Sequence, residues 1–118
     1  MRCCSIEKRD KKLLEKIVFY CQRIENNLER YHFERDAFLN DALFQDACCM
    51  CVIQIGELVG ALSDDAKALN PSIPWRLVKD TRNFYVHAYG AIDLLSVWET
   101  LLHDIPALKT ACEEMLAK

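Results

Sequence analysis

The residues best able to do chemistry are gathered in one stretch, Ile73-Pro74-Trp75-Arg76-Leu77-Val78-Lys79-Asp80-Thr81-Arg82-Asn83-Phe84-Tyr85-Val86-His87-Ala88-Tyr89-Gly90. Arg76, Lys79 and Arg82 recur at every third position, with Asp80 as the only opposing charge. A strip of this kind can hold an anion such as a phosphate. His87 follows Arg82 and supplies a group that titrates near neutrality, while Asn83 and Tyr89 add neutral polar donors. These are the parts for acid–base chemistry at phosphorus. The same residues also describe a solvated basic face with a histidine at a helix end.

Helical geometry restricts the first reading. On a straight helix Arg82 and His87 lie about 140° apart around the axis, too far to face one phosphate. Either the helix unwinds before His87, or the same segment of a second subunit completes the site. Arg82 and Tyr89 differ by only about 20° and share a face.

The rest of the chain offers little competing chemistry. His103-Asp104 resembles a phosphohydrolase metal doublet but lacks the further His and Asp ligands such a site needs. Glu99 precedes His103 by four positions, and no second Glu-x-x-His completes a di-metal site. Cys48 and Cys51 have C-x-x-C spacing without a second Cys/His cluster, so the cysteines are expected to pack as small core hydrophobes. No metal or cofactor is expected. There is no G-x-x-x-x-G-K, G-x-G-x-x-G or G-x-S-x-G, which excludes the nucleotide-binding and hydrolase folds built on them.

The elements that must position this segment are helices. Three glycines and three prolines in 118 residues are too few for a turn-rich β-sandwich, and 52% hydrophobic with 28% charged suits one folded domain. A net charge of −3 argues against coating nucleic acid or membrane by bulk charge, so any anion site must be local. Apolar residues at Leu13, Ile17, Cys21, Ile24, Leu28 and Tyr31 predict a helix from about Asp10 to Tyr31. A short turn at 37–40 follows. A second long helix runs from about Asp41 to Leu62 on Phe44, Cys48, Cys51, Ile55, Leu58 and Leu62. Ser63 caps a short connector before Asn70-Pro71, and a third long helix starts near Ser72 and reaches about Tyr89. The last begins near Ala91 and continues through Leu94, Trp98, Leu101, Ile105, Leu108, Cys112 and Met115, interrupted by Pro106 near His103-Asp104.

The expected fold is therefore an all-α, up-and-down helical bundle in a single domain 1–118, with 1–9 as a flexible tail. Trp75 and Trp98 should be buried in it. So small a helical domain gains from burying a face against a second copy. Seven cysteines, an odd number, and a start that turns charged before any apolar leader could form point to a reducing, cytoplasmic setting. No apolar run is expected to reach the roughly 20 residues of a membrane span.

The Arg82-x-x-x-x-His87-x-Tyr89 pattern resembles the signature of the HEPN superfamily of small helical proteins, and specifically its HepT-like toxin branch. The flanks resemble it too: Gln54-Ile55-Gly56-Glu57-Leu58, Ile73-Pro74-Trp75, Arg82-Asn83, and Asp93 to Trp98 followed by Asp104-Ile105-Pro106-Ala107-Leu108. The likeness runs from about Asp10 to Leu116. It implies a homodimer that cleaves RNA without a metal, as the toxin of a two-gene module resembling type VII. It also implies a partner, a minimal nucleotidyltransferase, that silences the toxin by attaching AMP to Tyr89. Carried onto this chain, Arg82 stabilises the phosphate, His87 is the general acid or base, and Asn83 orders the phosphate or the dimer site. Arg76 and Lys79 hold substrate. Glu57, polar beside Gly56 on an otherwise apolar helix, either orients Arg82 from across the bundle or is a solvent-facing or structural carboxylate. The competing class is a non-catalytic dimer that binds a nucleotide or RNA beside a nucleotidyltransferase.

Overall fold

A computed structural model describes residues 7–73, 75 and 93–117, and every regular element among them is helical. Helix α1 spans Lys8–Arg30 and starts two residues inside the expected tail. Its inward line is Leu14, Ile17, Cys21, Ile24 and Leu28, all buried. Leu14 thus takes the place expected of Leu13, which is only half-buried at the edge of the stripe. The helix closes with crossed bonds: the Phe33 N–H donates to the Leu28 carbonyl at 2.8 Å and the His32 N–H to the Glu29 carbonyl at 3.0 Å. Such a closure needs left-handed backbone, here supplied by His32 (φ 56°) and Phe33 (φ 54°) rather than glycine, at about 1–2 kcal/mol each.

The reversal delivers α2, Arg35–Asn40, longer than the turn expected there. Asp41 then caps α3, Ala42–Ala61, its Oδ1 accepting from the Leu43 N–H at 2.9 Å and the Phe44 N–H at 3.3 Å. α3 runs antiparallel to α1, as the Arg9 Nη1 bond to the Ala61 carbonyl at 2.9 Å shows. Its 20 residues include only two charges, Asp46 and Glu57, and by length and composition it could cross a membrane. That corrects the expectation that no segment comes close. The excess of apolar residues has a second use, because Phe44, Cys48, Cys51, Ile55 and Val59 form the core face against α1.

The short helix α4, Asp64–Ala68, is capped by Ser63, whose Oγ accepts from the Ala66 N–H at 3.1 Å, as expected. Ser63 is itself gripped from α1. The Asp10 carboxylate, 3% exposed, accepts from the Ser63 N–H at 3.0 Å and from the Ser63 hydroxyl at 2.6 Å. Helix α5, Leu94–Glu99, passes into a π-helical turn at Thr100–Asp104 and then α6, Ile105–Leu116. The break expected at Pro106 takes this form. Dihedrals remain helical on both sides, and the wider turn absorbs a residue with no N–H to give the Leu102 carbonyl.

α6 lies along α1, fixed at its edge by Lys109 Nζ, which donates to Gln22 at 2.8 Å and Glu25 at 2.7 Å. α2, α3 and α5 meet through Phe38, Phe44 and Trp98, with the Tyr31 ring stacked 4.0 Å over Phe44. Trp75 and Trp98 are both buried, as expected. The third long helix, expected at Ser72 to Tyr89, lies outside the described residues beyond Ile73 and Trp75. Cys21, Cys48, Cys49, Cys51 and Cys112 are core residues, as expected of free thiols that pack as small hydrophobes.

Burial also decides how those thiols behave. Loss of hydration pushes Cys48 and Cys112 up to about 12 and Cys49 up to about 11, and raises Cys21 and Cys51 as well. The folded protein therefore holds these protons more tightly than the unfolded chain. Their contribution to stability is complete below the ordinary thiol value of 9.0 and is lost as pH climbs towards 12. In native protein at pH 8 these five thiols should react with a disulfide reagent only as fast as the protein unfolds, and urea midpoints should fall from pH 9 upward. Asp10→Ala leaves the Ser63 N–H without its acceptor and should lower unfolding free energy by about 2 kcal/mol, measured by urea titration at pH 7.

Candidate functional site

Two anchors bracket the chemistry-bearing segment. At its entry, the buried Trp75 indole donates from Nε1 to the Lys67 carbonyl at 3.0 Å and the Asn70 carbonyl at 3.1 Å. Both acceptors belong to the C-terminal end of α4 and the turn after it, and each also accepts a backbone N–H, Lys67 from Asn70 at 3.3 Å and Asn70 from Ile73 at 3.2 Å. The ring thereby takes its place from α4, and α4 takes its own from Ser63 and Asp10. At the exit, Asp93 caps α5: Oδ1 accepts from the Leu95 N–H at 3.1 Å and Oδ2 from the Ser96 hydroxyl at 2.9 Å. Val97 and Trp98 then enter the core.

Arg76, Lys79, Arg82, Asn83, His87 and Tyr89 lie outside the described residues, and so does the Arg82 partner in one of the two alternatives for Glu57. Of the flanking positions, Glu57 is on the outer arc of α3, about one turn beyond the half-buried Gln54, and Gly56 between them is buried. His103 sits in the π turn with its Nε2 at 3.2 Å from Glu99 Oε1, both side chains exposed. Among the described residues no three His, Cys, Asp or Glu converge as a metal site would require.

A second surface, outside the residues singled out in the sequence, lies on α1. A groove of about 370 Å³ opens between α1 and α3, with Tyr20, Arg23, Asn26 and Asn27 on one wall and Met50 and Gln54 on the other. Nearer the start of α1, Lys8, Arg9, Lys12 and Lys16 line a second depression. Its signal in the sequence is the spacing of Lys8, Lys12 and Lys16 by four, which puts them on the side of α1 away from its apolar line.

The profile of the ribonuclease HepT-like family matches residues 17–115, a span that includes both anchors and the whole segment between them. A Thermococcus cleftensis protein named "Probable ribonuclease HepT" is 34% identical over 110 residues, covering 93% of this chain and 98% of its own. A Methanocaldococcus jannaschii protein named "Putative RNase" is 32% identical over 110 residues, covering 92% of this chain and 89% of its own. One from Caldanaerobacter subterraneus, also named "Putative RNase", is 28% identical over 105 residues, covering 89% and 92%. No solved structure matches the chain. With its all-α fold and a match over most of its length, this chain belongs to the ribonuclease HepT-like family.

Proposed function

We propose that this protein is a metal-independent endoribonuclease, the toxin of a two-gene module, acting in the cytoplasm as a homodimer. One observation carries the reading: the family match spans residues 17–115, and Arg82, Asn83, His87 and Tyr89 of the sequence fall within that span. In the reaction a ribose 2′-oxygen bonds to the adjacent phosphorus as the bond from phosphorus to the 5′-oxygen breaks. The products are a 2′,3′-cyclic phosphate and a free 5′-hydroxyl. His87 moves the proton, Arg82 balances the charge of the five-coordinate phosphorus, and Asn83 orders the phosphate. Arg76 and Lys79 hold the flanking backbone. Because Arg82 and His87 diverge on a straight helix, the second subunit supplies the missing half of the site.

Control falls to a minimal nucleotidyltransferase that transfers AMP from ATP to the Tyr89 hydroxyl and releases pyrophosphate. On a straight helix Tyr89 would share the face of Arg82, where an attached phosphate would neutralise the cation and the nucleoside would fill the space of the substrate.

In EDTA the purified protein should cleave single-stranded RNA and leave the 2′-deoxy oligonucleotide intact. His87→Ala and Arg82→Ala should each lower kcat by about 10²- to 10⁴-fold in a folded protein. Cleavage that needs a divalent cation, or that survives His87→Ala, rejects the mechanism. After incubation with the partner nucleotidyltransferase, ATP and Mg²⁺, mass spectrometry should show AMP on the wild type and none on Tyr89→Phe. Inhibition without a change in mass rejects the role of Tyr89.

A further inference from the structure

The polar face of α1 is sorted by charge. At 3.6 residues per turn, Lys8, Lys12, Lys16, Arg23 and Arg30 fall within about 80° of arc, and Phe19 falls in the same arc. The acids of α1 lie elsewhere: Asp10 is buried on Ser63, Glu25 is bound by Lys109, Glu15 borders the arc and Glu29 lies beyond it. Among the described residues no ion pair forms to any of the five cations in the arc. All five are exposed. In a chain of net charge −3 this is a concentrated positive strip, about 33 Å long from Lys8 to Arg30.

The strip also carries an aromatic ring. Phe19 is 54% exposed, its ring edge-to-face with Tyr20 at 5.3 Å and the Arg23 guanidinium 5.6 Å from its centroid. Beside it, Asn26, Asn27 and Gln54 set amide groups along the groove between α1 and α3. Spaced cations with an open ring among them, and amides alongside, form a surface for a single-stranded nucleic acid, cations on phosphates and ring on a base. We propose that the outer strip of α1 is a binding surface for single-stranded RNA, with Lys8, Lys12, Lys16, Arg23 and Arg30 following the backbone and Phe19 stacking a base. The proposal rests on the ribonuclease reading and adds a substrate-holding surface outside the Arg82–Tyr89 segment. An anionic membrane fits less well. A helix lying on lipid inserts a whole apolar face, whereas the apolar face of α1 is spent in the core and the strip offers only Phe19.

The test uses the full chain and a short, fluorescent 2′-O-methyl oligoribonucleotide, which has no free 2′-hydroxyl and cannot be cut. Lys12→Gln/Lys16→Gln keeps helix propensity, so helicity by circular dichroism should match the wild type. Its affinity for the oligonucleotide should fall about tenfold or more, and the slope of log K against log salt should shrink by about 1.4. Phe19→Ala should weaken binding about tenfold with the slope unchanged. Lys67→Gln on α4, off the strip, should change neither. With cleavable RNA the double variant should show a raised KM at constant kcat. Unaltered affinity and slope in the folded double variant overturn the proposal, even if His87→Ala abolishes cleavage. Binding of the oligonucleotide through the strip by a wild type that cuts no RNA sustains it while the nuclease reading falls. Lysine-dependent binding to phosphatidylserine vesicles without binding to the oligonucleotide overturns it in favour of a membrane.

Discussion

The described fold hangs on one buried carboxylate. Asp10 is nearly inaccessible to water, yet both of its oxygens are satisfied, one by the Ser63 N–H and one by the Ser63 hydroxyl. A buried polar group left unmatched is costly, so this contact fixes where the end of α3 meets the start of α1. Ser63, so held, caps α4. α4 and the turn after it in turn present the carbonyls of Lys67 and Asn70 that capture the Trp75 indole. The chain thus enters its chemistry-bearing segment from a point defined by three successive hydrogen-bonded handovers. None of these donors or acceptors is itself a candidate for catalysis.

The legible parts of the fold were those governed by local rules. Ser63 and the acidic residues after it mark a helix start by their chemistry alone, and the alternating steps of three and four place Ile17, Cys21, Ile24 and Leu28 in the core. Features that depend on tertiary context were harder to read. Two left-handed residues at His32 and Phe33 carry no glycine to announce them, and they are tolerated because α2 must fold back against Phe44 and Trp98. Asp10 reads as an ordinary first-turn acid until Ser63, far along the sequence, is brought beside it. Pro106 was legible as an interruption, but its resolution into a π turn depends on how α5 and α6 pack. For the candidate site, Arg82, His87 and Tyr89 are legible through a spacing pattern, whereas the outer strip of α1 was missed because no single residue in it is chemically unusual.

α1 also shows how one helix divides its circumference among separate tasks. Its apolar arc joins α3 and α6, its Glu25 edge holds Lys109, and its outer arc stays cationic. The first two arcs must be rigid for the third to have a fixed spacing. Charge added to the outer arc costs the core nothing, because long basic side chains project their heads into water while the stems lie along the helix. Surface chemistry on α1 can therefore change independently of the fold beneath it.

The sulfur-rich interior sets a condition on the reversibility of folding. While packing is intact, Cys21, Cys48, Cys49, Cys51 and Cys112 are shielded and protonated, and the core is chemically quiet. Opening the bundle releases them all at once, with thiols of ordinary acidity on α1, α3 and α6 free to cross-link in any combination. In an oxidising medium one excursion to the unfolded state becomes a kinetic trap, and lifetime rather than equilibrium governs how long the protein persists. A reductant, by contrast, returns the chain to ordinary two-way folding, so the durability of this domain is set as much by the redox poise around it as by the contacts within.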